Sequence, residues 1–129
     1  MNQPSSQFSE KLFLTKPGML NKDEAIILLI LDSIEKIFRF TSDLKDASEF
    51  EKDVESFDAT IMNFIILGEA VGKLSEAFKE THCKIDWRKI YAFRNVLAHD
   101  YFGIYPAEVW EIITKHLPNL KSDLQEIIK

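Results

Sequence analysis

Eight residues, Arg94-Asn95-Val96-Leu97-Ala98-His99-Asp100-Tyr101, bring a guanidinium, an amide, an imidazole and a phenol together at the end of an otherwise apolar helical run. An imidazole that titrates near neutrality can take the proton of an RNA 2′-hydroxyl or protonate the departing 5′-oxygen. A guanidinium can hold the phosphate between them and offset the charge that grows in the transition state. Arg94 and His99 are therefore the candidate catalytic pair, with Asn95 placed to orient the imidazole or to contact the phosphate. Such cleavage needs no metal, and one histidine per chain becomes two where a homodimer joins two copies. At about 100° per residue Arg94 and Tyr101 share one azimuth, while Asn95 and His99, at i and i+4, lie roughly 100–140° round from it. The four side chains thus span a broad polar sector suited to lining a cleft. The same residues could also do no more than cap and solvate a helix end, where a protonated histidine is favourable. The residues alone leave both readings open.

Other chemistries find little support. No Gly-rich phosphate loop, Gly-x-Ser-x-Gly elbow or Cys/His dyad is present, and no cofactor is expected. His99 and His116 lack a Cys, His or carboxylate partner at i+3 or i+4, and Asp86, four residues after His82, is separated from it by an expected loop and not held on one helix face, so no metal site is expected. The single cysteine, Cys83, excludes an intramolecular disulfide, suits a reducing cytoplasm and reads as an ordinary loop or core thiol. A formal net charge of −5 argues against non-specific coating of nucleic acid. Locally, Lys84, Arg88, Lys89 and Arg94 face one acid, Asp86.

The elements that must position these groups are helical. With 129 residues the chain has room for one domain, and four glycines and four prolines imply long elements with short connections. Residues 1–18 read as a polar, flexible extension closed by Pro17-Gly18, and 19–129 as the folded domain. Asn21 and Glu24 form a capping box ahead of a helix expected to end near Phe40. Its apolar stripe is wide enough for burial on two sides, one against the core and one against a partner subunit. A short turn capped by Ser48 precedes the longest expected helix, from about Val54 to near Lys79. Gly68 and Gly72 within it point to a close approach by another backbone, and Glu69 is either an exposed carboxylate or a group aimed at the polar sector. Asp86 caps the motif helix, which Gly103 closes as a left-handed residue. A helix opening at Pro106, broken at Leu117-Pro118, and a last helix complete the expected all-α chain. No apolar run is long enough to span a membrane, and no segment reads as a signal peptide.

Arg94-Asn95-x-x-x-His99-x-Tyr101 resembles the Arg-x-x-x-x-His-x-Tyr signature of HepT-like toxins, a branch of the HEPN superfamily. Gly68-Glu69-Ala70, Ile85-Asp86-Trp87, Phe102-Gly103-Ile104 and Val109-Trp110 stand in the family's order and spacing, so that the similarity runs from about Asn21 to Ile128. Tyr105-Pro106 departs from a stretch that is more commonly acidic. The resemblance implies a HEPN-type bundle of four to five helices, a homodimer with the motif at its cleft, and metal-independent cleavage of cellular RNA in the cytoplasm. It also implies an MNT-type nucleotidyltransferase antitoxin as partner. By position, Arg94 and His99 would be catalytic and Asn95 supporting. Tyr101 would be the phenol to which such antitoxins transfer AMP in some members. The alternative is a non-catalytic subunit that binds nucleotide or partner within a nucleotidyltransferase complex.

Overall fold

In the computed structural model, which describes residues 21–129, the apolar stripe of the first helix sets the architecture. Helix α1 spans Lys22–Thr41, and the Asn21 side chain accepts a hydrogen bond from the Glu24 backbone N–H at 2.8 Å. Ile27, Leu28, Ile34 and Ile37 are wholly buried within the single chain. The stripe is as wide as expected, and within the chain α3 (Val54–Gly72) and α7 (Leu117–Ile127) pack against it on two sides. An ion pair between Lys121 and Glu35, with Lys121 Nζ 5.7 Å from the Phe38 ring, fastens α7 to α1.

Helix α2, Ala47–Lys52, is capped two residues earlier than expected: Asp46, not Ser48, accepts from Glu49 N–H at 2.9 Å. The Glu49 carboxylate in turn accepts from Lys45 N–H at 2.9 Å, so that side chains at 46 and 49 satisfy backbone donors on both sides of the helix start. Phe50 on α2 is fully buried, with its ring 5.0 Å from Phe57 and 5.6 Å from Trp110.

The expected helix from Val54 to Lys79 is in fact two. Helix α3 stops at Gly72, and α4 covers Glu76–Thr81. Ser75 starts α4 by accepting from Phe78 N–H at 3.1 Å. A tertiary contact fixes that break, since Ser75 N–H and Oγ–H donate to the Asp23 carboxylate at 2.9 and 2.7 Å. The Ser75 backbone N–H is the main reason the Asp23 carboxyl is held below its usual range. A depressed carboxyl stabilises the fold above its unfolded value of about 3.8, and that contribution is lost as pH falls through the lower folded value. Asp23→Ala is expected to destabilise by about 1–2 kcal/mol at neutral pH, the low end for a charged hydrogen bond because the site is solvent-screened. Urea denaturation at pH 7 and at acid pH below 3.8 checks this: the gap between wild type and variant should narrow as the pH falls.

Helix α5, Trp87–His99, begins at Asp86, which accepts from Lys89 N–H at 3.1 Å. After a 3₁₀ turn, Tyr101–Gly103, helix α6 runs Pro106–Glu111, with Pro at the first turn. Leu117-Pro118 does not break the chain there as expected. A π-helical turn, Ile112–His116, joins α6 to α7 without interruption. Pro118 has no N–H and its ring crowds the preceding turn, and a widened turn is one way a helix accommodates both.

Helix α3 is the centre of the bundle, with α1 along one side and α5 along the other. Phe64, Leu67 and Val71 of α3 meet Ile27, Ile34, Leu97, Val109, Ile113 and Leu124 in one core. The fold is all-α: α1, α3, α5 and the continuous α6–α7 rod, with two one-turn helices between. No strand occurs among the described residues, and none of their helices is long and apolar enough to cross a membrane. The expected extension at residues 1–18 lies outside the described residues.

Candidate functional site

The site is built on the α3–α5 contact, where two glycines remove side chains that α5 would otherwise meet. A Cβ added to Gly68 would overlap Arg94 Cβ, stand 2.7 Å from its Cγ and 3.5 Å from its Cα. One added to Gly72 would lie 2.7 Å from Cε1 of Tyr91. The close approach expected at these glycines is present, and it seats the stem of Arg94 on the α3 backbone.

From there the guanidinium is held on several sides. Its Nη2 pairs with Glu69 Oε2, Nη1 donates to Asn95 Oδ1 at 2.6 Å, and its Cζ lies 5.7 Å from the Tyr91 ring. The Arg94 side chain is only 19% exposed, and its Nε is buried with no hydrogen-bond partner among the described residues. Glu69 is thus aimed at the polar sector. Each terminal nitrogen carries two hydrogens, so one bond apiece to Glu69 and Asn95 leaves a second N–H on each for a phosphate oxygen. Asn95 is engaged with Arg94; no hydrogen bond joins it to His99.

His99 is the last residue of α5, exposed, and its imidazole bonds no described residue. Tyr101 lies beyond the helix in the 3₁₀ turn, so the azimuth it was expected to share with Arg94 does not apply. Its hydroxyl instead donates to Asp58 Oδ1 on α3 at 2.5 Å. That hydrogen bond, aided by desolvation, raises the phenol above its ordinary value of about 10. Gly103 is not the left-handed terminator expected; a Cβ there would meet the Asp100 carboxylate, with Oδ1 at 2.8 Å, the free end of an exposed side chain.

Asp58 was not singled out in the sequence, although a signal exists. Asp58 and Glu69 are three helical turns apart, which returns them to nearly one azimuth of α3. Helices α3 and α5 run antiparallel, so Glu69 meets Arg94 and Asp58 meets Tyr101, with His99 between the two pairs along α5. Beside this line Val54, Met62 and Ile66 leave α3 with an exposed apolar edge, and Phe102 is 99% exposed. The local cation excess is smaller than the sequence suggests: Lys84 pairs with Asp123 at 3.2 Å and Arg94 with Glu69. Cys83 is exposed in the turn between α4 and α5.

Comparison with known proteins gives a consistent set of relatives. A family model described as "Ribonuclease HepT-like" matches residues 30–127. A protein of Methanocaldococcus jannaschii named "Putative RNase" is 35% identical over 112 residues, covering 86% of this chain and 92% of that protein. One of the same name from Caldanaerobacter subterraneus is 37% identical over 81 residues, 63% of this chain and 72% of its own length. A Thermococcus cleftensis protein named "Probable ribonuclease HepT" is 31% identical over 100 residues, 78% of this chain and 90% of that one. No solved structure matches.

Proposed function

This chain belongs to the HepT-like ribonuclease family, with the all-α HEPN-type bundle that goes with it, and from that premise we propose that it is a metal-independent endoribonuclease acting as the toxin of a toxin–antitoxin pair in the cytoplasm. The observation that carries this reading is the unequal treatment of the two motif side chains. Arg94 is locked in place by Glu69, Asn95 and the Gly68 backbone, while His99 on the same helix is left exposed and unbonded. A fixed cation beside a free imidazole suits phosphodiester cleavage: Arg94 positions the phosphate and stabilises its added charge. His99 takes the 2′-hydroxyl proton, the 2′-oxygen attacks phosphorus, and the 5′-oxygen departs with a proton from the second imidazole of a dimer. A residue that only capped α5 would need no acid on α3 to hold it.

The exposed α3 edge supports the dimer. Val54, Met62 and Ile66 recur on one face beside the site, where a second copy would bury them and bring two motifs to one cleft. Met62→Asp together with Ile66→Asp is expected to shift the protein from dimer to monomer in sedimentation velocity. The partner of this toxin is an MNT-type nucleotidyltransferase, which neutralises it by transferring AMP to Tyr101. The ester would add charge and bulk beside His99, repelling and occluding RNA.

The test is RNA cleavage by the purified chain in EDTA, alongside growth arrest on induced expression. Cleavage of tRNA or mRNA without metal supports the proposal. A chain that is inert alone, and still inert after any AMP is removed from Tyr101, would instead be a non-catalytic subunit that binds nucleotide or partner.

A further inference from the structure

Resting on that reading of Tyr101 as the acceptor of a nucleotidyl group, we infer that Asp58 is the base that makes Tyr101 the nucleophile in the transfer. Three tyrosines are available, and exposure does not choose among them correctly. Tyr105 is 67% exposed, more open than Tyr101 at 46%, yet its hydroxyl has no hydrogen-bond partner among the described residues. Tyr91 is packed against Gly72 and Arg94. Only Tyr101 has its phenolic proton already directed at a carboxylate, Asp58 Oδ1 at 2.5 Å.

The chemistry needs such a partner. A phenol held above its ordinary pKa is fully protonated at neutral pH, so it attacks phosphorus only if its proton leaves as the bond forms. A carboxylate hydrogen-bonded to the attacking hydroxyl serves this role in phosphoryl transfer by protein kinases. Here Tyr101 Oη attacks the α-phosphorus of a nucleoside triphosphate held by the nucleotidyltransferase, and a new O–P bond forms. The bond from the α-phosphorus to the bridging oxygen breaks, and pyrophosphate leaves with the electron pair. The phenolic proton passes to Asp58 Oδ1 and on to solvent. Asp58 is exposed, so that last transfer is open. It sits on α3 and not in the motif segment, which separates it from the residues proposed to cleave RNA.

The product also differs electrostatically from the starting state. The ester oxygen has no proton to donate, so the link from the 3₁₀ turn to α3 is lost. A phosphodiester anion then stands beside the Asp58 carboxylate. That repulsion, screened by solvent at this exposed pair, disfavours the return of the modified side chain to Asp58.

The experiment uses the full chain with a purified MNT-type nucleotidyltransferase and ATP labelled at the α-phosphate. Label is located by peptide mass spectrometry in wild type, Asp58→Asn, Asp58→Glu, Tyr101→Phe and Tyr105→Phe. Asparagine can still accept the phenol hydrogen bond but cannot take the proton, so it separates a base from a positioning group. The expected result is label on Tyr101 in wild type, a rate at least about 100-fold lower in Asp58→Asn, and partial recovery in Asp58→Glu. Circular dichroism checks that each variant is folded. Labelling of Asp58→Asn at the wild-type rate overturns the inference and leaves the assignment of Tyr101 intact. A wild type labelled elsewhere, or not at all, overturns that assignment and the role of Asp58 with it. An ultraviolet titration gives a second check: the phenol signal absent from Tyr101→Phe should titrate lower in Asp58→Asn, and an unchanged titration would show that the contact does not form in solution.

Discussion

His99→Ala is expected to lower the rate of RNA cleavage by about 10²–10⁴-fold, the usual contribution of a positioned acid or base, with almost no change in stability. The second half of that expectation makes the first interpretable. His99 is exposed, ends α5 and bonds no described side chain, so its loss falls in the class of surface substitutions worth about 0.5 kcal/mol or less. An inactive variant with wild-type unfolding would therefore have lost chemistry and not structure. Arg94 gives a contrasting pair of variants. Arg94→Lys keeps the charge but cannot engage Glu69 and Asn95 from one planar group, and a drop of about 10²–10³-fold is expected, as for loss of a transition-state donor. Arg94→Ala should be no more active, but it also strips Glu69 of its partner. Single-turnover cleavage with unfolding curves for all three variants is the measurement. A folded His99→Ala that cleaves at the wild-type rate would remove the imidazole from the mechanism.

Gly68→Val is expected to damage both stability and activity, although residue 68 touches no substrate. Even one carbon there overlaps Arg94 Cβ, and the obstacle is the base of the side chain with its Cα close behind, which no rotamer change can move. The clash is relieved only by separating α3 from α5. Overpacking of this kind costs about 1–3 kcal/mol, and a branched side chain should sit at the upper end. Separation also shifts Arg94 relative to Glu69, and a misplacement of about 1 Å at a catalytic group lowers rates by about 10²-fold. Gly68→Ala should show the same two losses at smaller size. Cleavage rates measured well below the unfolding transition keep the two effects apart. Full activity in a destabilised Gly68→Val would mean that Arg94 does not need its seat on α3.

The local features of the sequence specified much of this molecule. Caps at Asn21 and Asp86, the apolar spacing of α1 and the proline at the start of α6 are short-range signals, and each element begins where they place it. The glycines at 68 and 72 announced a close approach because their loss of helix propensity needs a compensating contact. Arg94, Asn95 and His99 on one helix could likewise be read from spacing, since five residues of regular helix leave little freedom.

Long-range contacts decided the rest. The break between α3 and α4 depends on Asp23, far earlier in the chain, reaching Ser75. The wide face of α1 could have been left for a second chain to cover, and only the packing of α7 shows how much of it the chain covers itself. Asn95 was free in sequence to serve His99, and the position of the Arg94 guanidinium turned it the other way. Tyr101 left the helix at Asp100 and so escaped its periodicity; the acid it found lies 43 residues away. Periodicity ranks neighbours along one helix but carries no information about which face of another helix will lie opposite. That is why the motif was legible in the sequence and its two acidic partners on α3 were fixed only when the antiparallel packing of α3 and α5 brought them there.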